Sequence, residues 1–236
     1  CALPIYRGGN SQQERDAAEI RLGFCTPILK GFITELGVEA ANHGVQVFGG
    51  HGYIKEWGME QILRDSRIAT LYEGTTGIQA LDLVGRKVLM DKFKQLNFFT
   101  GEMLSFAGQF LPWKKSPQAK QMRKQAWTIT KLAIKWRYLA YRMAMRAKKN
   151  PDNVGASSVD FLMYSGYAYM AFMWGKMSFA AHKQLAAGEG DQKFLESKLH
   201  SAEFFFERIL PRADAHAKTL SANLESLMAM PTSYFE

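Results

Sequence analysis

The sequence predicts an all-α protein, a helical bundle followed by a second helical domain. Three observations predict it. Apolar residues recur at steps of three and four along most of the chain. No stretch alternates apolar and polar residues as a half-buried strand does. The periodic stretches are separated by glycines and prolines, which interrupt helices. The chain has 236 residues, 47 % of them apolar. That suits one large or two small cored domains and excludes disorder.

From Glu14 to Val47 the periodic residues are Ile28, Phe32, Ile33, Leu36, Ala40 and Val47. Thr26-Pro27 is read as a helix opening, with threonine as cap and proline in the first turn. Gly49-Gly50 ends the helix. A short helix is expected over Met59–Thr70. Another is expected over Thr75–Lys92, with Ile78, Leu81, Leu83, Val84 and Val88 available for its buried face. Leu96–Pro117 carries Gly101, Gly108, Pro112 and Pro117 and reads as broken. A domain boundary is placed there, dividing 1–95 from 96–236. The second block is expected to hold helices over Ala119–Lys148, Ser157–Ala187, Asp191–Leu210 and Pro211–Met230. Pro151/Gly155, Gly188/Gly190 and Pro211 separate them.

The two cysteines, Cys1 and Cys25, show no metal-type spacing and suit a reducing, intracellular setting. His43, His51, His182, His200 and His216 have no ligand spacing with acids or cysteines, so no metal is expected. CALPIY has neither the charged leader nor the long apolar core of a signal peptide. CALPI matches a translated sequencing-adapter end, so Cys1–Ile5 are read as foreign; the alternative is an ordinary N-terminal peptide. Phe161–Ala181 is the most apolar stretch. It carries Lys176, three tyrosines, two serines and two glycines, and reads as a buried bundle helix rather than a membrane span.

The net charge is +8. Twelve of the 30 basic residues fall in Met103–Pro151, where there is no acidic residue, so the excess describes one segment. Lys124, Lys131, Lys135, Arg142 and Arg146 recur at helical spacing, with Trp127, Trp136, Tyr138 and Tyr141 between them. Three readings stand open. One is a solvated or interdomain face, with the aromatics in the core and the bases paired to acids such as Glu196, Glu203 and Glu207. The second is a phosphate-binding face for nucleic acid. The third is a membrane-surface helix.

Two stretches are not asked for by helix packing. QVFGGHGY, Gln46–Tyr53, puts Gly49, Gly50 and Gly52 where backbone can approach a ligand closely. No strand precedes it, so it is not a dinucleotide fingerprint. By itself it reads as a glycine-rich helix–helix turn. LYEGTTGIQ, Leu71–Gln79, puts Glu73 and Gly74 at a junction between helices. By itself Glu73 reads as a partner of the next helix dipole and Thr75 as a cap.

Taken together, GVQVFGGHGY, Arg64-Asp65 and LYEGTTGIQ, in this order and spacing, resemble the C-terminal helical domain of the acyl-CoA dehydrogenases. TPILKGF at Thr26–Phe32 is similar to the same family, and Arg15–Val88 carries the resemblance. YEGTTGIQALDLVGRKV followed by more helix resembles the larger bacterial subfamily with an added helical domain. That subfamily includes fatty-acyl and methylmercaptopropionyl-CoA dehydrogenases.

The resemblance implies FAD as cofactor, an acyl-CoA substrate and a place in fatty acid β-oxidation. Glu73 matches the base that takes the proton beside the thioester carbonyl. Its N–H matches one oxyanion donor. Tyr72 and Gly74 match the substrate pocket. Gln46, Val47, Phe48, Gly49 and Gly50 match the segment on the FAD adenosine–pyrophosphate, commonly that of a neighbouring subunit. Thr75 matches a flavin contact. Gly77 departs from the polar residue many members carry there. Arg64-Asp65 reads as a structural salt bridge or a helix-terminal charge rather than as catalytic residues. Electron-transferring flavoprotein as acceptor, a homodimer or dimer of dimers, and a bacterial cytoplasmic location are implied in the same way. The family places an N-terminal helical domain and a β domain before this segment, so the segment alone is expected to be inactive. The rival reading is a basic nucleic-acid-binding or assembly module that kept the fold without the activity.

Overall fold

The computed structural model describes Gly8, residues 11–112 and residues 118–235. Cys1–Ile5, Lys114, Lys115 and Pro117 lie outside the described residues. Among the described residues there is no strand; the chain is all-α.

Helix α1 runs Gln12–Phe48. It opens on a capping box. The Glu14 N–H donates to Ser11 Oγ at 3.2 Å, and the Ser11 N–H donates to the Glu14 carboxylate at 3.3 Å. Thr26-Pro27 therefore does not start a helix; Pro27 lies inside α1 and is buried. The Thr26 hydroxyl turns back onto the Leu22 carbonyl at 2.6 Å instead of capping. The lost bond at Pro27 is outweighed by burial of Phe24, Ile28 and Phe32 around it. Gly49, at φ 60, ends the helix as expected.

Short helices follow: α2 over Gly50–Tyr53, a 3₁₀ turn at Lys55–Trp57, and α3 over Met59–Ile68. Helix α4, Thr76–Asp82, passes into a π-helical stretch, Leu83–Met90. The wider turn keeps Leu83, Val84 and Val88 on the buried side. Lys92 and Phe93, both at positive φ, swing the chain into α5, Lys94–Gly108. The stretch expected to be broken is thus helical as far as Gly108, and the helix ends there. Leu96, Phe99, Thr100, Met103 and Ala107 are buried at helical spacing, and that burial overrides the cost of about 1 kcal/mol for Gly101 in the interior.

Helix α6, Ala119–Lys149, is followed by α7, Asp152–Ala187. Helix α7 begins before the expected Ser157. The Asn150 side chain accepts the Asp152 N–H at 2.9 Å, and Pro151 suits a position where no N–H is needed. Helix α8, Gln192–Phe204, continues as a π turn over Phe205–Ile209. Helix α9, Arg212–Leu220, stops short of Met230 because Arg146 takes the carbonyls of Leu220 and Ala222. A four-residue α10, Glu225–Met228, follows.

Helix α7 is the central rod and touches α1, α4, α6, α8 and α9. Glycines set the closest approaches. A Cβ on Gly166 would lie 2.1 Å from the Phe32 ring, and one on Gly31 would lie 2.8 Å from Leu162. Four helices meet at Phe99. Its ring packs 5.8 Å from Phe24 of α1, 5.9 Å from Trp136 of α6, and 5.8 and 5.4 Å from Phe172 and Tyr169 of α7. Phe161–Ala181 lies inside α7 as a bundle helix. Among the described residues no helix is long and apolar enough to cross a membrane.

Several bases of α6 dock neighbours. Lys124 pairs with Glu207 and Lys135 with Asp214, each at 2.6 Å. Arg137 donates to the Asn97 carbonyl of α5 at 2.9 Å. Of the expected acids only Glu207 forms an ion pair; Glu196 bonds Gln192 instead. The aromatics divide: Trp136 is in the core, whereas Trp127, Tyr138 and Tyr141 are exposed.

Two outcomes are expected. Gly166→Ala forces the Phe32 ring to move and lowers stability by about 1–3 kcal/mol, read from the urea midpoint. Burial pushes the Cys25 thiol up to about 12. At pH 8 it should resist alkylation in the native chain and react on unfolding, as peptide mass mapping would show.

Candidate active site

The predicted carboxylate sits on a turn between α3 and α4. Two residues in succession have positive φ, Glu73 at 52 and Gly74 at 92. That left-handed pair reverses the chain. Glycine at 74 meets two demands: its φ, and the Gln79 amide, which would lie 2.8 Å from any Cβ. Both carbonyls of the pair are held from inside. The Gln79 side chain donates to the Glu73 carbonyl at 3.2 Å, and Lys30 Nζ of α1 donates to the Gly74 carbonyl at 2.5 Å. Among the described residues, no acceptor takes the Glu73 N–H and no cation pairs with its carboxylate.

The flanking residues are fixed in different ways. The Tyr72 ring is half-exposed, 5.8 Å from Lys30 Nζ, a cation–π distance. Thr75 caps α4, its hydroxyl accepting the Ile78 N–H at 3.3 Å. Thr76 donates to Glu35 of α1 at 2.5 Å. A Cβ on Gly77 would lie 3.9 Å from Thr75 Oγ1, so the side chain missing at 77 would have stood beside that hydroxyl.

The glycine segment lies elsewhere. Gln46, Val47, Phe48, Gly49 and Gly50 form the exposed C-terminal end of α1; Val47 is 84 % exposed. Sixteen residues of α1 separate Lys30, which holds the Glu73 turn, from Gln46. At 1.5 Å per residue that is about 24 Å. Helix α3 and the turn after it carry the chain back along α1, with Met59 against Gly44 at the start. One chain thus brings Tyr72, Glu73, Gly74 and Thr75 together and keeps the glycine segment apart from them. Arg64 forms a structural salt bridge, bonding Glu60 one turn back at 2.7 Å on the outside of α3.

Lys30, Gln79 and Glu35 were missed by sequence reasoning. Lys30 stands inside TPILKGF, but its partner is 44 residues away, and nothing local marks the pairing.

Fold and site together are an all-α bundle that presents an acidic residue on a left-handed turn between two helices. Two family profiles match: "Acyl-CoA dehydrogenase, C-terminal domain" over residues 10–89 and "Acetyl-CoA dehydrogenase C-terminal like" over 89–231. The chain belongs to the acyl-CoA dehydrogenase family. It is 35 % identical to 3-methylmercaptopropionyl-CoA dehydrogenase of Ruegeria pomeroyi, over 96 % of this chain and 39 % of that protein. A broad-specificity linear acyl-CoA dehydrogenase of Mycobacterium tuberculosis is 30 % identical over 78 % of this chain and 31 % of its own length. A butyryl-CoA dehydrogenase of Syntrophomonas wolfei is 26 % identical over 89 % and 34 %. The chain spans between about a third and two fifths of the length of these relatives.

Lys30→Met should release the Gly74 carbonyl. Losing a hydrogen bond from a charged donor costs about 1.5–3 kcal/mol. Hydrogen exchange at Gly74–Thr76 should rise at least tenfold while exchange in α7 stays unchanged.

Proposed function

We propose that this chain is the catalytic helical part of an FAD-dependent acyl-CoA dehydrogenase that forms 2,3-enoyl-CoA from acyl-CoA thioesters. The observation that carries this reading is the Glu73 turn. Its carbonyls are tied inward by Gln79 and Lys30, and its carboxylate and N–H are unclaimed. Glu73 takes the proton from the carbon beside the thioester carbonyl. Substrate closing over it excludes water from the reacting atoms. The Glu73 N–H meets the oxygen on which enolate charge gathers; a donor fixed in place needs no reorganisation at that moment. Gly74 leaves room for the thioester, and Tyr72 borders the acyl group.

The exposed backbone at Gln46, Val47, Phe48, Gly49 and Gly50 fits a cofactor approached from outside the chain. Gly49 is at φ 60 and no atom stands within 4 Å of a Cβ on Gly49 or Gly50. Thr75 fits a flavin contact through an exposed hydroxyl that already accepts one bond. When bound, FAD supplies the hydride acceptor at the neighbouring carbon. The separation of about 24 Å between the two segments supports a site shared between subunits of a homodimer or dimer of dimers. Electron-transferring flavoprotein as acceptor, a role in β-oxidation and a cytoplasmic setting complete the reading.

In protein carrying the complete flavin site, Glu73→Gln should lower turnover about 10²–10⁴-fold with little change in KM, in an acyl-CoA assay with a dye acceptor. Near-normal turnover would remove Glu73 as the base. The 236-residue chain alone should purify without stoichiometric flavin absorbance and should not oxidise acyl-CoA.

A further inference from the structure

Helix α6 carries a line of apolar side chains that the bundle does not cover. Trp127, Ile134, Tyr138, Tyr141 and Met145 follow one another at helical spacing, and each is between 42 and 58 % exposed. The opposite side of the same helix buries Ile129, Trp136 and Met143 completely or nearly so, so the outer line is held rigidly. From Trp127 to Met145 it runs about 27 Å, straight along the helix. Exposed Arg123, Lys131 and Lys148 fall in the same line, and none forms an ion pair among the described residues. Helix α6 has no acidic residue. Of the acids facing α6, Glu207 and Asp214 are paired with Lys124 and Lys135, and Glu203 lies beside Lys124, away from the outer line. The Arg142 guanidinium lies 5.7 Å over the Tyr138 ring and steadies it.

The charge calls for an anionic partner. The side chains narrow its class. Tryptophan and tyrosine prefer the headgroup level of a bilayer, and lysine and arginine reach phosphates while their stems lie along apolar surface. Ile134 and Met145 have no face for a base to stack on, and against a phosphate backbone they would stay unmatched. Against the acyl boundary of a lipid leaflet they are matched. A straight, rigid line also suits a flat surface.

We propose that the outer line of α6 is a docking surface for anionic phospholipid bilayers. Trp127, Tyr138 and Tyr141 sit among the headgroups, Ile134 and Met145 reach the acyl boundary, and Arg123, Lys131 and Lys148 meet the phosphates. The proposal is independent of the role of Glu73.

The test is co-sedimentation of the 236-residue chain with phosphatidylglycerol–phosphatidylcholine vesicles and with pure phosphatidylcholine vesicles, at low and high salt. Binding to the anionic vesicles, weakened by salt, is expected. It should fall at least tenfold in Trp127→Ser/Tyr141→Ser and in Lys131→Glu/Lys148→Glu, both checked for folding by circular dichroism. Trp57→Ser, on the separate apolar surface beside α3, should bind like the parent chain. Absence of binding, binding unchanged in both α6 variants, or tighter binding to duplex DNA at equal phosphate concentration would overturn the proposal. So would self-association, seen by light scattering, that blocks vesicle binding and that the same variants abolish.

Discussion

The rest of the structure depends on the aromatic joint around Phe99. Its ring touches Phe24, Trp136, Tyr169 and Phe172 and so joins α1, α5, α6 and α7 at one point. Such pairs add to the burial of large apolar surfaces. The joint fixes α1 against the central rod α7. Beside it, Arg21 of α1 bonds Glu102 of α5 at 3.1 Å, and further along α1 Arg212 of α9 bonds Glu39 at 2.6 Å. Half-exposed pairs of this kind orient more than they stabilise. Residues in the two family-profile regions thus share one continuous core.

The position of the candidate base follows from that joint by a short chain of contacts. Glycines at 31 and 166 make room for the Leu162 and Phe32 side chains where α1 and α7 pack together. Lys30 is the neighbour of Gly31. It takes the Gly74 carbonyl. Glu35, one turn beyond Gly31, takes the Thr76 hydroxyl. The turn that presents Glu73 is thereby tied to the part of α1 that packs against α7. The site is on a loop, but its coordinates are set by a helix.

Much of this was legible in the sequence, and the exceptions have physical causes. Helix ends at Gly49 and Gly188 were readable because glycine adopts positive φ at little cost; both do so here. Thr75 was readable as a cap because capping is local. Pro27 misled because proline opens helices more often than it crosses them; here burial of Phe24, Ile28 and Phe32 decides. Gly101 misled for a similar reason, being one permissive residue within a strongly buried face of α5. The π stretches at Leu83–Met90 and Phe205–Ile209 leave no local mark, since they arise from the fit of buried faces. At the site, Glu73 stood out through its surrounding wording, but Lys30 and Gln79 did not. Their bonds reach backbone carbonyls, which every residue possesses and no sequence pattern labels.

The left-handed backbone at Glu73 has a consequence for how the chain can change. A glutamate there carries a local strain of order 1–3 kcal/mol that glycine or asparagine would largely relieve. Folding alone therefore favours losing the acid, and any drift toward a more robust bundle runs toward a smaller or more turn-like residue at that position. A glutamate that persists there marks a position where stability and chemistry pull in opposite directions.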